Sequence, residues 1–174
     1  MIGPLCARIR TVLLGASAAA LVALPAIPAG AQVSSSSSAS LACTISSTAD
    51  VHPGVTTQVH HFGAVTHGFT GTAVCTGTVD GLPVTGPGTF LANSHSVGSC
   101  ASTSGVGNFV LEIPTAAGQQ TVAGHFASSG SIMSPVVLLT GDLSGTSKVV
   151  SAVGNCFTTP LTQVTVVDTV QITT

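Results

Sequence analysis

The sequence predicts one all-β domain, a single antiparallel meander that closes into a β-barrel in preference to a two-sheet sandwich, preceded by a signal peptide. Three observations predict it. From Phe69 to Val79, one face reads Phe69, Gly71, Ala73, Cys75, Gly77 and Val79, and the other reads Thr70, Thr72, Val74, Thr76 and Thr78. That is the period-two pattern of a half-buried strand. Asp80-Gly81 follows at once, and both residues tolerate the positive φ of a tight hairpin turn, so the chain should fold straight back through Val84 to Ala92. Beyond residue 31 no apolar period near 3.6 persists. Gly, Thr, Ser and Val dominate where a helical protein would carry Ala, Leu, Glu and Lys.

In chain order, residues 1–31 read as an export signal. Arg8 and Arg10 form a positive region, Thr11 to Leu24 an apolar one, and Ala29-Gly30-Ala31 a small-residue cleavage site. The apolar run is shorter than the ~20 residues of a spanning helix and is broken by Pro25 and Pro28. Cleavage would start the mature chain at Gln32, with a flexible serine-rich leader over 32–40 and the domain over 41–174. Leu41, Cys43 and Ile45 share one face of a first short strand, expected to end before the turn signals Asp50 and Pro53-Gly54, with a second strand from Val55 to Phe62. After the central hairpin, Gly86-Pro87-Gly88 implies a bend or bulge at an edge or barrel corner, because proline donates no ladder hydrogen bond.

Ser96 to Ser102 reads as a short strand carrying Cys100. Val106 to Ile113 reads as a longer one, with Phe109, Leu111 and Ile113 inward and Asn108, Val110 and Glu112 outward. Pro114 to Gly118 supplies a reversal, and Gln120 to Ala127 returns with Val122, Gly124 and Phe126 on its apolar face. Val136 to Leu143 is apolar on both faces, as expected of a central strand. Val149 to Val153 and Leu161 to Thr173 complete about nine strands. So many neighbours joined by short turns favour a barrel.

Removing 31 of the 174 residues leaves 143, enough for one domain with a core, and removes both arginines. Five acids (Asp50, Asp80, Glu112, Asp142, Asp168) against Lys148 then leave a formal charge of −4. Nucleic-acid binding is excluded, because phosphate contacts need several Lys or Arg side chains. Adsorption to an anionic membrane fails for the same reason. The chain has no Trp and no Tyr, so only its six phenylalanines can build an aromatic ligand platform.

The runs Phe69-Thr70-Gly71-Thr72-Ala73-Val74-Cys75-Thr76-Gly77 and Gly86-Pro87-Gly88-Thr89-Phe90, then Cys100, Ile113-Pro114-Thr115 and Gly154-Asn155-Cys156-Phe157-Thr158-Thr159-Pro160, resemble small secreted all-β proteins of actinobacteria with no assigned activity. The resemblance covers Leu41 to Thr174 and rests on glycines, threonines and cysteines, which mark a scaffold. It implies export and fold, and no functional residues.

Among chemistry-bearing residues, six histidines (His52, His60, His61, His67, His95, His125) outnumber the acids. His60, His61 and His67 are the weak metal-ligand candidates, since imidazole is the commonest transition-metal ligand. Adjacent His60 and His61 point to opposite faces of a strand, which opposes a shared site. No Gly-x-Ser-x-Gly elbow occurs in the mature chain, and Asp142 with Asp168 is the only carboxylate pair suited to glycoside chemistry. Two histidines and an acid meeting in one concave pocket would favour an enzyme. The sequence implies no cofactor and no catalytic residue.

Asp168 is the anomaly, because alternation through Val164, Val166, Val170 and Ile172 places it on the apolar face. Either a bulge at Val166-Val167 turns it outward, or it is a buried polar residue that bonds hydroxyls or lines a cavity. The four mature cysteines, Cys43, Cys75, Cys100 and Cys156, form an even set suited to an oxidising compartment. Three pairings are open. Cys75 with Cys100 flanks the returning strand, and Cys43 with Cys156 joins the first strand to the approach of the last, so that pairing is expected. The functional expectation is a secreted, extracellular, non-enzymatic binding or cell-exterior structural domain for an unknown protein or small-molecule partner, with no membrane anchor after signal cleavage. A small secreted hydrolase or metal-dependent enzyme, and an inhibitor of extracellular enzymes, are the alternatives.

Overall fold

The Phe69–Val79 alternation forms the strand it spells: Ala73, Cys75 and Val79 are buried, and Thr70, Thr72, Val74 and Thr76 face out. The turn beyond it is also as expected, with φ of 50° at Asp80 and 77° at Gly81. The computed structural model describes residues 37–134 and 136–174, with the backbone alone at positions 66 and 67. The export signal read at residues 1–31 lies outside the described residues.

Nine strands follow one another: β1 (Ala39–Val55), β2 (His60–Val79), β3 (Leu82–Pro83), β4 (Gly88–Gly98), β5 (Thr103–Thr115), β6 (Gly118–Gly130), β7 (Val136–Gly141), β8 (Leu143–Val153) and β9 (Leu161–Thr173). All pair antiparallel in one sheet of order β1-β9-β8-β7-β6-β5-β4-β2-β3. An additional β1–β2 pairing joins the two sides of that order, so eight strands form a closed ring and the short β3 extends the β2 ladder beside it. The ends of the described domain meet in the ring, with Ser40 opposite Thr173. The ring is not paired along its whole length: β7 pairs with β6 only from Phe126 to Gly130, so the preceding residues of β6 have a ladder on the β5 side alone.

One end of the ring carries the ends of the domain and the Asp80-Gly81 and Ala116-Ala117 turns. The other carries the loops at 56–59, 99–102, 131–134 and 154–160. The terminal end is filled by a packed core in which Leu41, Ile45, Phe109, Leu111, Ile113, Val122 and Ile172 are at most 2% exposed. Each such side chain contributes about 1.5–3 kcal/mol by leaving water. A second apolar cluster, including Val51, Val55, Cys100, Leu161 and Val164, lies toward the loop end. Between strands the fit is tight: a Cβ on Gly71 would lie 2.6 Å from the Ser47 Cα of β1, so only glycine allows that approach.

Several sequence expectations are corrected by the ladders. The leader does not extend to Ser40; β1 begins at Ala39, which pairs with Val79, while the Asp80 backbone N–H donates to Ser38 O at 2.7 Å and the Asp80 carboxylate accepts from Ser38 N at 2.8 Å. Asp50 and Pro53-Gly54 do not end a strand. The chain there is flanked by both β2 and β9, the extra residues enter as register shifts, and Asp50 accepts a hydrogen bond from Gln163 at 2.8 Å. The reversal comes later, at Thr56 to Val59. Cys100 lies in the loop after β4 and not on a strand. The apolar run at 136–143 is not one central strand: it splits at Gly141-Asp142 into β7 and the start of β8, and Val136 and Leu138 face outward.

The expected disulfide pairing is wrong. The bonds are Cys43–Cys75 and Cys100–Cys156. Cys43 and Cys75 are direct partners across the β1–β2 ladder, with Cα atoms 4.1 Å apart. Cys100 and Cys156 sit in loops at the opposite end. The first and last strands are neighbours, as expected, but the β9 residue facing Cys43 is Val170, and Cys156 precedes β9 at its far end.

Candidate functional site: an interior carboxyl in an apolar cavity

Between the packed terminal end and the loop end the ring holds a partly open cavity of about 130 Å³. Four of the six phenylalanines line it, Phe62 and Phe69 from β2, Phe90 from β4 and Phe126 from β6, together with aliphatic side chains of β1, β7, β8 and β9. These inward positions follow from the period-two pattern of each strand. Among the described residues, the polar side chains on the wall are Ser94, Ser96, Ser128, Ser147 and Asp168.

Asp168 points inward, so the alternation of β9 holds and the outward bulge does not occur. The β1–β9 register runs unbroken through Ser46↔Val167, Ser47↔Val166 and Ile45↔Asp168. The irregularity lies in the neighbouring strand, where β8 inserts Val150 between Val149 and Ser151. Asp168 is 6% exposed. Burial raises its carboxyl from 3.8 to about 6, and a hydrogen bond from Ser147, its direct partner on β8, opposes that rise. One carboxyl oxygen, Oδ1, has no partner. Ser47, inward-facing on β1 and diagonal to Asp168, is 3% exposed and its hydroxyl also lacks a partner. Buried polar atoms are paired in the great majority of cases, so two neighbouring orphans, one of them on a residue that lines the cavity, are notable.

The loop end closes over the cavity around Cys100, which is fully buried. Its N–H donates to Thr56 O at 2.9 Å, and its carbonyl accepts from Met133 N at 3.2 Å and Ser131 Oγ at 3.0 Å. Its sulfur is bonded to Cys156. All four loops of that end are therefore gathered on one residue, and Ile132 reaches from them into the cavity wall.

The histidine candidates do not assemble. His60 Nδ1 lies 2.8 Å from Gln58 O and Nε2 3.1 Å from Gly54 O, so the ring braces the β1–β2 turn. His61 points to the exposed face, and the side chain of His67 is outside the described ones. Among the described residues, no three of His, Cys, Asp and Glu are placed to share a metal ion. One outer groove, of about 600 Å³, does bring His95, His125 and Asp142 together. There the Asp142 carboxylate accepts from the backbone N–H of His125 at 2.9 Å, and the His125 ring bonds Asn108 at 2.6 Å. The groove thus brings together two histidines and an acid, the meeting that favours an enzyme, and among the described residues its wall carries one hydroxyl, Thr140, and no serine or cysteine.

Sequence reasoning singled out Asp168 but missed Ser147 and Ser47, which are ordinary strand serines until the register sets them beside it. Comparison with known proteins adds no relative: no family model matches the chain, and neither a curated protein nor a solved structure matches it.

Proposed function

We propose that the chain is an exported, non-enzymatic binding domain, an eight-stranded β-barrel that holds a small and largely apolar molecule in its interior. The observation that carries this reading is the cavity itself: apolar walls with four phenylalanines and one buried carboxyl, the pattern of a small-ligand pocket with a few placed polar groups. Its volume is close to that of engineered apolar cavities of about 150 Å³ that take up benzene. Export is supported by the two disulfides, which suit an oxidising compartment. The faces of the ring argue against a membrane-spanning barrel. Its interior is apolar, unlike the polar lumen of a spanning barrel, and its outer face mixes threonine and serine with exposed valines and leucines.

Benzene is the probe that tests the reading. Titrated into the oxidised domain, it should shift the methyl NMR signals of Leu139, Val149 and Val164, which line the cavity, and leave Leu41 and Ile172 in the packed end unmoved. Ser94→Leu, which fills the space from β4, should abolish the shifts while the spectrum stays that of a folded domain. Shifts spread evenly over the surface, or none, would contradict a binding cavity.

A further inference from the structure

We propose that the molecule held inside is a small apolar amine, whose ammonium group pairs with the Asp168 carboxylate while its hydrocarbon part lies against the phenylalanines. This rests on the cavity being a ligand site, and goes beyond it by naming the head group.

The argument starts from what the interior lacks. A buried carboxylate is normally compensated by a cation or by several hydrogen bonds. Asp168 lines the cavity, has one hydrogen bond, from Ser147, and carries a buried Oδ1 without a partner. Among the described residues Lys148 is the only lysine or arginine, and it faces outward because its neighbour Ser147 faces in. Among the described residues none therefore supplies a cation to this interior acid.

Ligand classes separate on this ground. An anionic ligand would meet like charge in a low-dielectric space. A neutral hydrocarbon would fill the volume and leave the carboxylate as it was. An alcohol would offer one donor without charge. An ammonium offers charge and three N–H donors to Asp168, the one carboxylate among the described residues of the wall. The fold already bears the desolvation of Asp168, so binding adds only that of the amine. Size limits the hydrocarbon part to roughly that of benzene or a short alkyl chain.

Protons compete for the same group. None of the described residues on the cavity wall titrates except Asp168. From β1 it is faced by Ile45 and Ser47, from β8 by Ser147, and across the ring by phenylalanines and serines. Its carboxyl titrates at about 6, so amine affinity should be level above that pH and fall by up to about tenfold per unit below it.

The test titrates the oxidised domain with n-butylamine, 1-butanol and n-pentane, at pH 8 and pH 5, by methyl NMR. The expected result is that butylamine perturbs the cavity methyls, binds at least tenfold more tightly than pentane or butanol at pH 8, and weakens severalfold or more at pH 5. In Asp168→Asn that preference should vanish while pentane binds as before. Since the comparison of ligands is made on the unaltered protein, it stands even if the variant misfolds. If pentane binds and butylamine binds no better, the interior is a plain apolar site and the amine inference is overturned. If butanol equals butylamine, the head group is a neutral donor and the inference is likewise overturned. If nothing binds, the cavity is not a ligand site, and the function proposed above falls with it.

Discussion

Replacing Cys100 and Cys156 together by alanine is expected to lower the melting temperature by on the order of 10–20 °C, and replacing Cys43 and Cys75 to do nearly the same. The bonds span sequence separations of 56 and 32 residues, for which chain-entropy estimates give roughly 4 kcal/mol each. The two closed segments do not overlap in sequence, so reducing both bonds should approach the sum of the single effects. Their consequences for binding should differ. Cys43–Cys75 ties two strands that a continuous ladder already holds from Ala39↔Val79 to Thr48↔Thr70. Cys100–Cys156 joins loops that no ladder connects and that cover the cavity. Loss of the second bond should therefore weaken benzene binding, and loss of the first should leave it nearly unchanged. Calorimetry and the benzene titration on the two double variants check both statements. Equal effects on binding would contradict the role given to the loop end.

Asp168→Asn is expected to stabilise the domain at neutral pH by up to about 3 kcal/mol. The carboxyl of Asp168 is raised from 3.8 to about 6, and each pH unit of that difference is worth about 1.4 kcal/mol. The sign follows from proton uptake. Between these values the folded state holds the proton more tightly than the unfolded chain. The contribution is therefore fully present below about pH 3.8 and is lost as pH rises through about 6. Denaturant unfolding of the wild type should accordingly show stability falling between about pH 4 and pH 6.5, a fall that the Asn variant lacks. Such a loss is what a group kept for binding rather than for stability would impose. A wild-type profile that rises through this window, or a variant less stable than wild type at pH 7, would contradict the burial of an uncompensated carboxylate.

Local signals in the sequence were legible, and pairings between distant strands were not. Asp80-Gly81 acts within two residues, and its turn forms as read. The alternation of β5 placed Phe109, Leu111 and Ile113 inward because a strand imposes its own period. Asp50 and Pro53-Gly54 carry the same kind of turn signal yet lie in β1, since ladders on both sides hold the chain extended and absorb the surplus as register shifts. Asp168 could be read from β9 alone as facing inward. Whether a bulge reset it could not be read there, because the bulge lies in β8, at Val150. The cysteine pairing depended on which end of the ring each residue reaches. That is fixed by strand lengths and register: β1 and β2 bring Cys43 to Cys75, and loops separated by four strands bring Cys100 to Cys156. The cavity has the same origin. Its phenylalanines and serines come from β2, β4, β6 and β8, and no stretch of sequence contains them together.

The central claim is that Asp168 is an interior carboxyl on the wall of the cavity, and a carbon-13 NMR titration of the side-chain carboxyl signals of the folded, oxidised domain tests it most directly. The Asp168 carboxyl carbon, assigned by its loss in Asp168→Asn, should titrate with a midpoint near pH 6. A midpoint at or below 3.8, the value for a carboxyl in water, would place the side chain in solvent and contradict the claim.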